Sequence, residues 1–226
     1  MSDRLTFLHT SPAHIETFER LVKASAPEVR TSHVVAEDLL ADAQVVGADD
    51  PSLVARIQKA MTDAAETGAA ETGASWVVVC TCSTIGGAAE RTPTNGRFNA
   101  LRIDRAMAER AVRSGPDILV VAALESTLRP TIDLIRESAA SLGREVTVRH
   151  LVVEDAWRHF MRGDREAYVA AVAEAIRREP VAADVVVLAQ ASMASAAERL
   201  QDLGVEVLSS PALGVRDVLD RLRGRR

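Results

Sequence analysis

Cys82 is the residue whose type and neighbours best suit it to chemistry. It stands in Cys80-Thr81-Cys82-Ser83-Thr84-Ile85-Gly86-Gly87, where an apolar run over 75–80 gives way to small and hydroxylic residues. A thiol placed where a buried strand ends and a helix begins meets free backbone N–H groups and the positive end of the helix. Both favour the thiolate. The chemistry open to such a group is proton transfer or nucleophilic attack. Ser83 and Thr84 add hydroxyl donors, and Gly86-Gly87 admit close approach of a ligand or a second helix. Cys80 shares a strand face with Cys82 and reads as core, and the i,i+2 spacing is a poor one for a disulfide.

The residues able to work beside such a thiol lie at the ends of other apolar runs, in His9-Thr10-Ser11, Glu125-Ser126-Thr127 and Gln190-Ala191-Ser192. His9, with a reference pKa of about 6.5, is a candidate acid–base partner, and Glu125 is its counterpart in the second half. Thr10, Ser11, Ser83, Thr84, Ser126, Thr127 and Ser192, with Gln190 and Ala191 beside them, make a set rich in neutral donors. Such donors suit a carboxylate and a developing enolate. Part of the set must serve as ordinary helix caps. His33 and His150 read as satisfied core histidines, Asp38 and Asp155 as caps, and the polar loop 91–97 as a surface loop or lid.

Positioning these groups falls to a duplicated scaffold. His33-Val34-Val35-Ala36-Glu37-Asp38 returns 117 residues later as His150-Leu151-Val152-Val153-Glu154-Asp155. Trp76-Val77-Val78-Val79 returns 108 residues later as Asp184-Val185-Val186-Val187, and Ala88-Ala89-Glu90 as Ala196-Ala197-Glu198. Three blocks in one order indicate duplication of a unit of roughly a hundred residues. Strands are expected at 5–9, 32–36, 75–80, 117–124, 145–153, 184–189 and 205–209. Helices are expected at 15–24, 52–67, 130–142, 166–178 and 215–223. Alternation of this kind implies α/β halves with parallel sheets. In such sheets ligands sit beyond the carboxyl ends of the strands.

Composition narrows the function. The chain has 226 residues, 47% hydrophobic and 26% charged, with a formal charge of −5, which is a globular balance. Seven aromatic residues offer few stacking platforms, and basic residues cluster only at Arg221, Arg223, Arg225 and Arg226, so nucleic acid is not expected as a partner. No segment reads as a signal peptide or membrane span, and the two cysteines lack an oxidising framework; a cytoplasmic protein is expected. No spacing argues for a metal, and no dinucleotide or phosphate-loop motif argues for a cofactor.

Val78-Val79-Cys80-Thr81-Cys82-Ser83-Thr84 resembles the first cysteine motif of the aspartate/glutamate racemase superfamily, which also holds hydantoin racemases, maleate isomerases and arylmalonate decarboxylase. Val186-Val187-Leu188-Ala189-Gln190-Ala191-Ser192-Met193-Ala194 resembles the second motif, and Leu101-Arg102-Ile103-Asp104-Arg105-Ala106-Met107 the approach to the mid-chain helix. The resemblance implies two pseudo-symmetric halves, each a four-stranded parallel sheet flanked by helices, with the active site in the cleft between them. The first half takes 1–104 plus 211–226 and the second 105–210. It further implies a cofactor-independent isomerase, possible homodimerisation, a small carboxylate substrate, and Cys82 as acid or base in racemisation or epimerisation. The departure is Gln190, where the family carries its second cysteine; an amide does not titrate near neutrality. That substitution keeps open a one-cysteine decarboxylase, although arylmalonate decarboxylase has its cysteine in the other half. It also keeps open a catalytically silent carboxylate-binding protein and covalent thiol chemistry of the maleate-isomerase kind.

Overall fold

The computed structural model describes residues 4–72, 77–179 and 182–224, with no side-chain detail for 68–72. Residues 75 and 76 of the expected strand, and Arg225 and Arg226, lie outside the described residues. Two compact units divide the chain, Met1–Asp104 with Pro211–Arg226, and Arg105–Ser210.

The first unit runs β1 (Arg4–His9), a 3-10 turn (Pro12–His14), α1 (Ile15–Ser25), β2 (Arg30–Val35), α2 (Glu37–Val46), α3 (Pro51–Thr72), β3 (Val77–Cys80), α4 (Ser83–Glu90) and β4 (Asn99–Arg102). Its sheet has the order β2-β1-β3-β4 and every pairing is parallel. The central strands β1 and β3 carry near-continuous apolar runs because helices cover both faces. The edge strand β2 has no fully buried residue. On α3, Leu53, Ile57, Met61 and Ala64 recur at helical spacing and pack with Leu8, Val78, Cys80 and Ile85. Asp50 starts that helix by accepting from the N–H groups of Ser52 and Leu53, both at 3.0 Å.

The second unit repeats the plan with α5 (Arg105–Ser114), β5 (Asp117–Ala122), α6 (Glu125–Ser141), β6 (Thr147–Val152), α7 (Glu154–Met161), α8 (Arg165–Arg178), β7 (Val185–Leu188), a 3-10 turn (Ala191–Met193), α9 (Ala194–Glu198) and β8 (Glu206–Ser209). Its order, β6-β5-β7-β8, is that of the first sheet, again all parallel. The last helix, α10 (Ser210–Arg223), packs through Gly214, where an added Cβ would lie 2.1 Å from the carbonyl oxygen of Ile103.

Several local expectations are corrected. Helix α6 starts at Glu125, five residues before the expected Pro130, so Glu125-Ser126-Thr127 forms its first turn. Pro130 falls in the second turn, where its missing N–H leaves the Ser126 carbonyl without its intrahelical donor. Asp38 and Asp155 cap nothing: Ala36 and Val153 hold the cap positions without side-chain bonds. The two carboxylates stand inside first turns, where the helix dipole favours them. His150 is exposed on the edge strand β6 and is not a core histidine. β4 is a strand where none is expected from the sequence.

Candidate active site at the Cys82 strand end

Cys82 is the N-cap residue of α4, in extended conformation, and its side chain makes no capping bond. It is half-buried, whereas Cys80 is fully buried. Burial and the neighbouring Cys82 push the Cys80 thiol far up, and its Sγ donates to the Cys82 carbonyl at 3.6 Å. Cys80 therefore stays a protonated core residue, and Cys82 is the accessible thiol. The two hydroxyls that follow it, Ser83 and Thr84, are buried in the first turn of α4.

Beneath that turn lies a buried ion pair the sequence reading missed. Arg102, on β4, donates from Nε to Asp104 Oδ1 at 2.7 Å and from Nη2 to Oδ2 at 3.0 Å. The side chains are 3% and 1% exposed. Nη2 also reaches the Ser83 carbonyl at 3.4 Å. Burial alone would raise the Asp104 carboxyl; the Arg102 charge and fork, with the Ser83 hydroxyl, outweigh it and hold it below the usual carboxylate range. The glycine pair admits this guanidinium: a Cβ on Gly86 would lie 3.0 Å from Arg102 Nε, and one on Gly87 3.3 Å from Arg91 Nη1. The expected close approach is thus made by arginines. The signal available in sequence was an arginine and an aspartate two apart beside the apolar Leu101 and Ile103.

His9 closes β1 with both ring nitrogens engaged. Nδ1 meets Thr81 Oγ1 at 2.8 Å and Nε2 meets His33 Nδ1 at 2.8 Å, the two imidazoles stacked at 5.1 Å. His33 Nε2 faces Glu19 at 3.6 Å, an ion-pair distance too long for a hydrogen bond. Burial first, then the neighbouring His33 and His14, lower His9 to about 3, and burial lowers His33 despite Glu19. At neutral pH His9 is a neutral link in a Thr81–His9–His33 chain. Thr10 is buried next to it, and Ser11 caps the 3-10 turn by accepting from the Ala13 N–H.

In the second unit, Gln190 is a tether. Its Oε1 accepts from the Ala123 N–H at 3.0 Å and its Nε2 donates to Thr127 Oγ1 at 3.3 Å. Ala191, buried, opens the 3-10 turn, and Ser192 meets the hydroxyl of buried Tyr168 at 2.8 Å. Burial raises Tyr168 to about 12, less a contribution from that bond, so its proton stays on. Thr127 is buried, the Ser126 hydroxyl oxygen is buried with no hydrogen-bond partner among the described residues, and Glu125 is exposed. The loop after α4 is a tight turn with Asn95 and Gly96 in the left-handed region (φ 49° and 73°), and Thr92 donates to the Ala89 carbonyl at 2.7 Å. Among the described residues no group of three or more His, Cys, Asp or Glu is gathered to hold a metal ion, and no helix is long and apolar enough to cross a membrane.

No family model matches the chain, and no curated protein does. Solved structures do. An allantoin racemase from Pseudomonas fluorescens is 20% identical, with 98% of this chain and 92% of that one covered at a TM-score of 0.61. The aspartate racemase of Picrophilus torridus is 13% identical over 98% of this chain and 94% of its own, at 0.66. A glutamate racemase of Bacillus anthracis is 12% identical over 99% and 82%, at 0.69. Spanning nearly the whole chain, these likenesses show that it shares the fold of these racemases.

Proposed function

We propose that the chain is a cofactor-independent isomerase of the racemase type, moving a proton at the carbon next to the carboxylate, or similar carbonyl, of a small substrate. The carrying observation is Cys82: an accessible thiol at the N-cap of α4, its side chain spent on no capping bond. A thiol there can take or give a proton beside N–H donors that stabilise an enolate-like charge. Thr84 and Thr10 supply hydroxyls in the same unit, where the Ser83 hydroxyl is held by Asp104, and Ser126, Thr127, Ala191 and Ser192 supply the corresponding positions of the second. His9 supports the strand end as a neutral bonded ring, and Glu125 is the exposed carboxylate of its own unit. The solved racemases share the fold, and the sequence resemblance of the Cys82 motif points to the same chemistry. A homodimer working in the cytoplasm is part of this reading.

One observation favours a second reading. The Gln190 amide is committed to Ala123 and Thr127, so the second titrating thiol of a two-base racemase is missing. A one-thiol enzyme that protonates a planar enediolate after losing CO₂ needs no such partner. The test is incubation in D₂O with single enantiomers of small amino acids and hydantoins, and separately with disubstituted malonates. Racemisation with deuterium at the α-carbon supports the isomerase; CO₂ release from malonates supports the decarboxylase. Stabilisation by these carboxylates in thermal shift, without turnover of any, would leave a binding protein and contradict both.

A further inference from the structure

The Arg102–Asp104 pair is more than packing. Arg102 touches the carbonyl of Ser83, and Asp104 accepts from the Ser83 hydroxyl, so both fix the residue that follows Cys82. The guanidinium lies against Gly86, where an added Cβ would come within 3.0 Å of Nε, tighter than ordinary contact. Both charges also act on the neighbouring Cys80, in opposite directions. Cys80 on β3, Arg102 on β4, Asp104 just after it and Arg91 at the far end of α4 are charged or titratable groups at this turn; His9 is bonded to the adjacent Thr81, and α2 and α3, which also pack against α4, carry Glu37, Asp38, Asp42 and Arg56.

We propose that the Arg102–Asp104 pair is a positioning device for Cys82: it holds the first turn of α4 in place, and its nearly cancelling charges set how readily the thiol ionises. The inference rests on the reading of Cys82 as the reacting group. Its two halves separate on mutation. Removing only the aspartate charge leaves a buried cation facing the turn, which favours the thiolate; removing both charges restores neutrality, and apolar replacement of a buried pair is commonly tolerated.

The experiment is the pH dependence of iodoacetamide alkylation of the full chain, assigned to Cys82 by peptide mass, because only the thiolate reacts. Asp104→Asn is expected to move the midpoint down by about one pH unit, and Arg102→Met with Asp104→Asn to return it to the wild-type value. An unmoved or raised midpoint in Asp104→Asn, or a double variant that stays with the single one, would overturn the proposal. Should Asp104→Asn fail to fold, Arg102→Lys carries the test, keeping the charge and losing the fork. The expected result is an unchanged midpoint with a several-fold lower plateau rate; a shifted midpoint or an unchanged plateau overturns it. Turnover is not the readout. A Cys82→Ser variant that keeps turnover sinks the proposed function, whereas these midpoints alone decide the pair.

Discussion

The two halves share strand order, pairing and even the bonds that close the strand ends, yet differ in what those ends carry. Thr81 N–H donates to Leu8 O at 3.0 Å as Ala189 N–H does to Val121 O at 2.9 Å. On this common frame the first half ends in Cys82 and an eight-residue helix, with Arg102–Asp104 beneath and the His9–Thr81 link beside it. The second half ends in Gln190, a 3-10 turn and a five-residue helix, with Ala122 and Ala189 where His9 and Thr81 stand in the first. The two sheets keep one strand order and differ in the side chains at their strand ends. An accessible thiol marks one half, a tethered amide the other.

The comparison breaks most sharply at Cys82. Cys82→Ser is expected to cut turnover by about four orders of magnitude with an unchanged thermal midpoint; comparable turnover would return the chemistry to some other group. Next comes Gly214→Ala, which drives a methyl into the Ile103 carbonyl and should cost about 3 kcal/mol in urea unfolding. Stability within a few tenths of wild type would show that α10 can shift at no cost.

The His9 link separates the halves by pH. Its folded pKa is depressed to about 3 from the ordinary 6.5, so the unfolded chain binds the extra proton between these values. The stabilisation is complete above pH 6.5 and is lost as pH falls. From pH 7 to 4.5 the loss assigned to His9 is about 3 kcal/mol. His9→Phe should flatten that slope in unfolding measured across the range, leaving a smaller contribution from His33; an unaltered slope would mean the ring is solvated. In the second half, Gln190→Ala strands the Ala123 N–H and should cost about 1–2 kcal/mol, read by the same unfolding.

The smallest effect is expected at the duplicated histidines. His150→Ala, on an exposed strand, should change stability by less than about 0.5 kcal/mol. His33→Ala, which strips a partner from His9, should cost clearly more. Equal costs would erase the asymmetry.

What was legible in the sequence was whatever rests on local pattern. The apolar runs at β3 and β7, the helical spacing of Leu53, Ile57 and Met61, and the duplicated blocks led to the paired α/β scaffold and to Cys82 at a strand end. What was not legible depends on register and burial. Strand β4 is four residues long and opens on Asn99 and Ala100, which are poor strand signals. The Arg102–Asp104 pair shows itself only when Gly86 brings α4 down onto the guanidinium. His9 reads as a free titrating group at a strand end, and only the pairing of β1 with β2 and β3 reveals that both nitrogens are occupied. The same holds for Gln190: its type says that it cannot titrate, but its role as a tether needs the distance to Ala123.

The proposed function stands or falls with the half-buried thiol of residue 82 as the reacting group. It is tested most directly by alkylating the protein to one equivalent at Cys82 and following residual α-proton exchange in D₂O against the fraction modified. Exchange is expected to fall in proportion to alkylation, and alkylation to slow when the turned-over carboxylate is saturating. Full exchange by a protein wholly alkylated at Cys82 would contradict it.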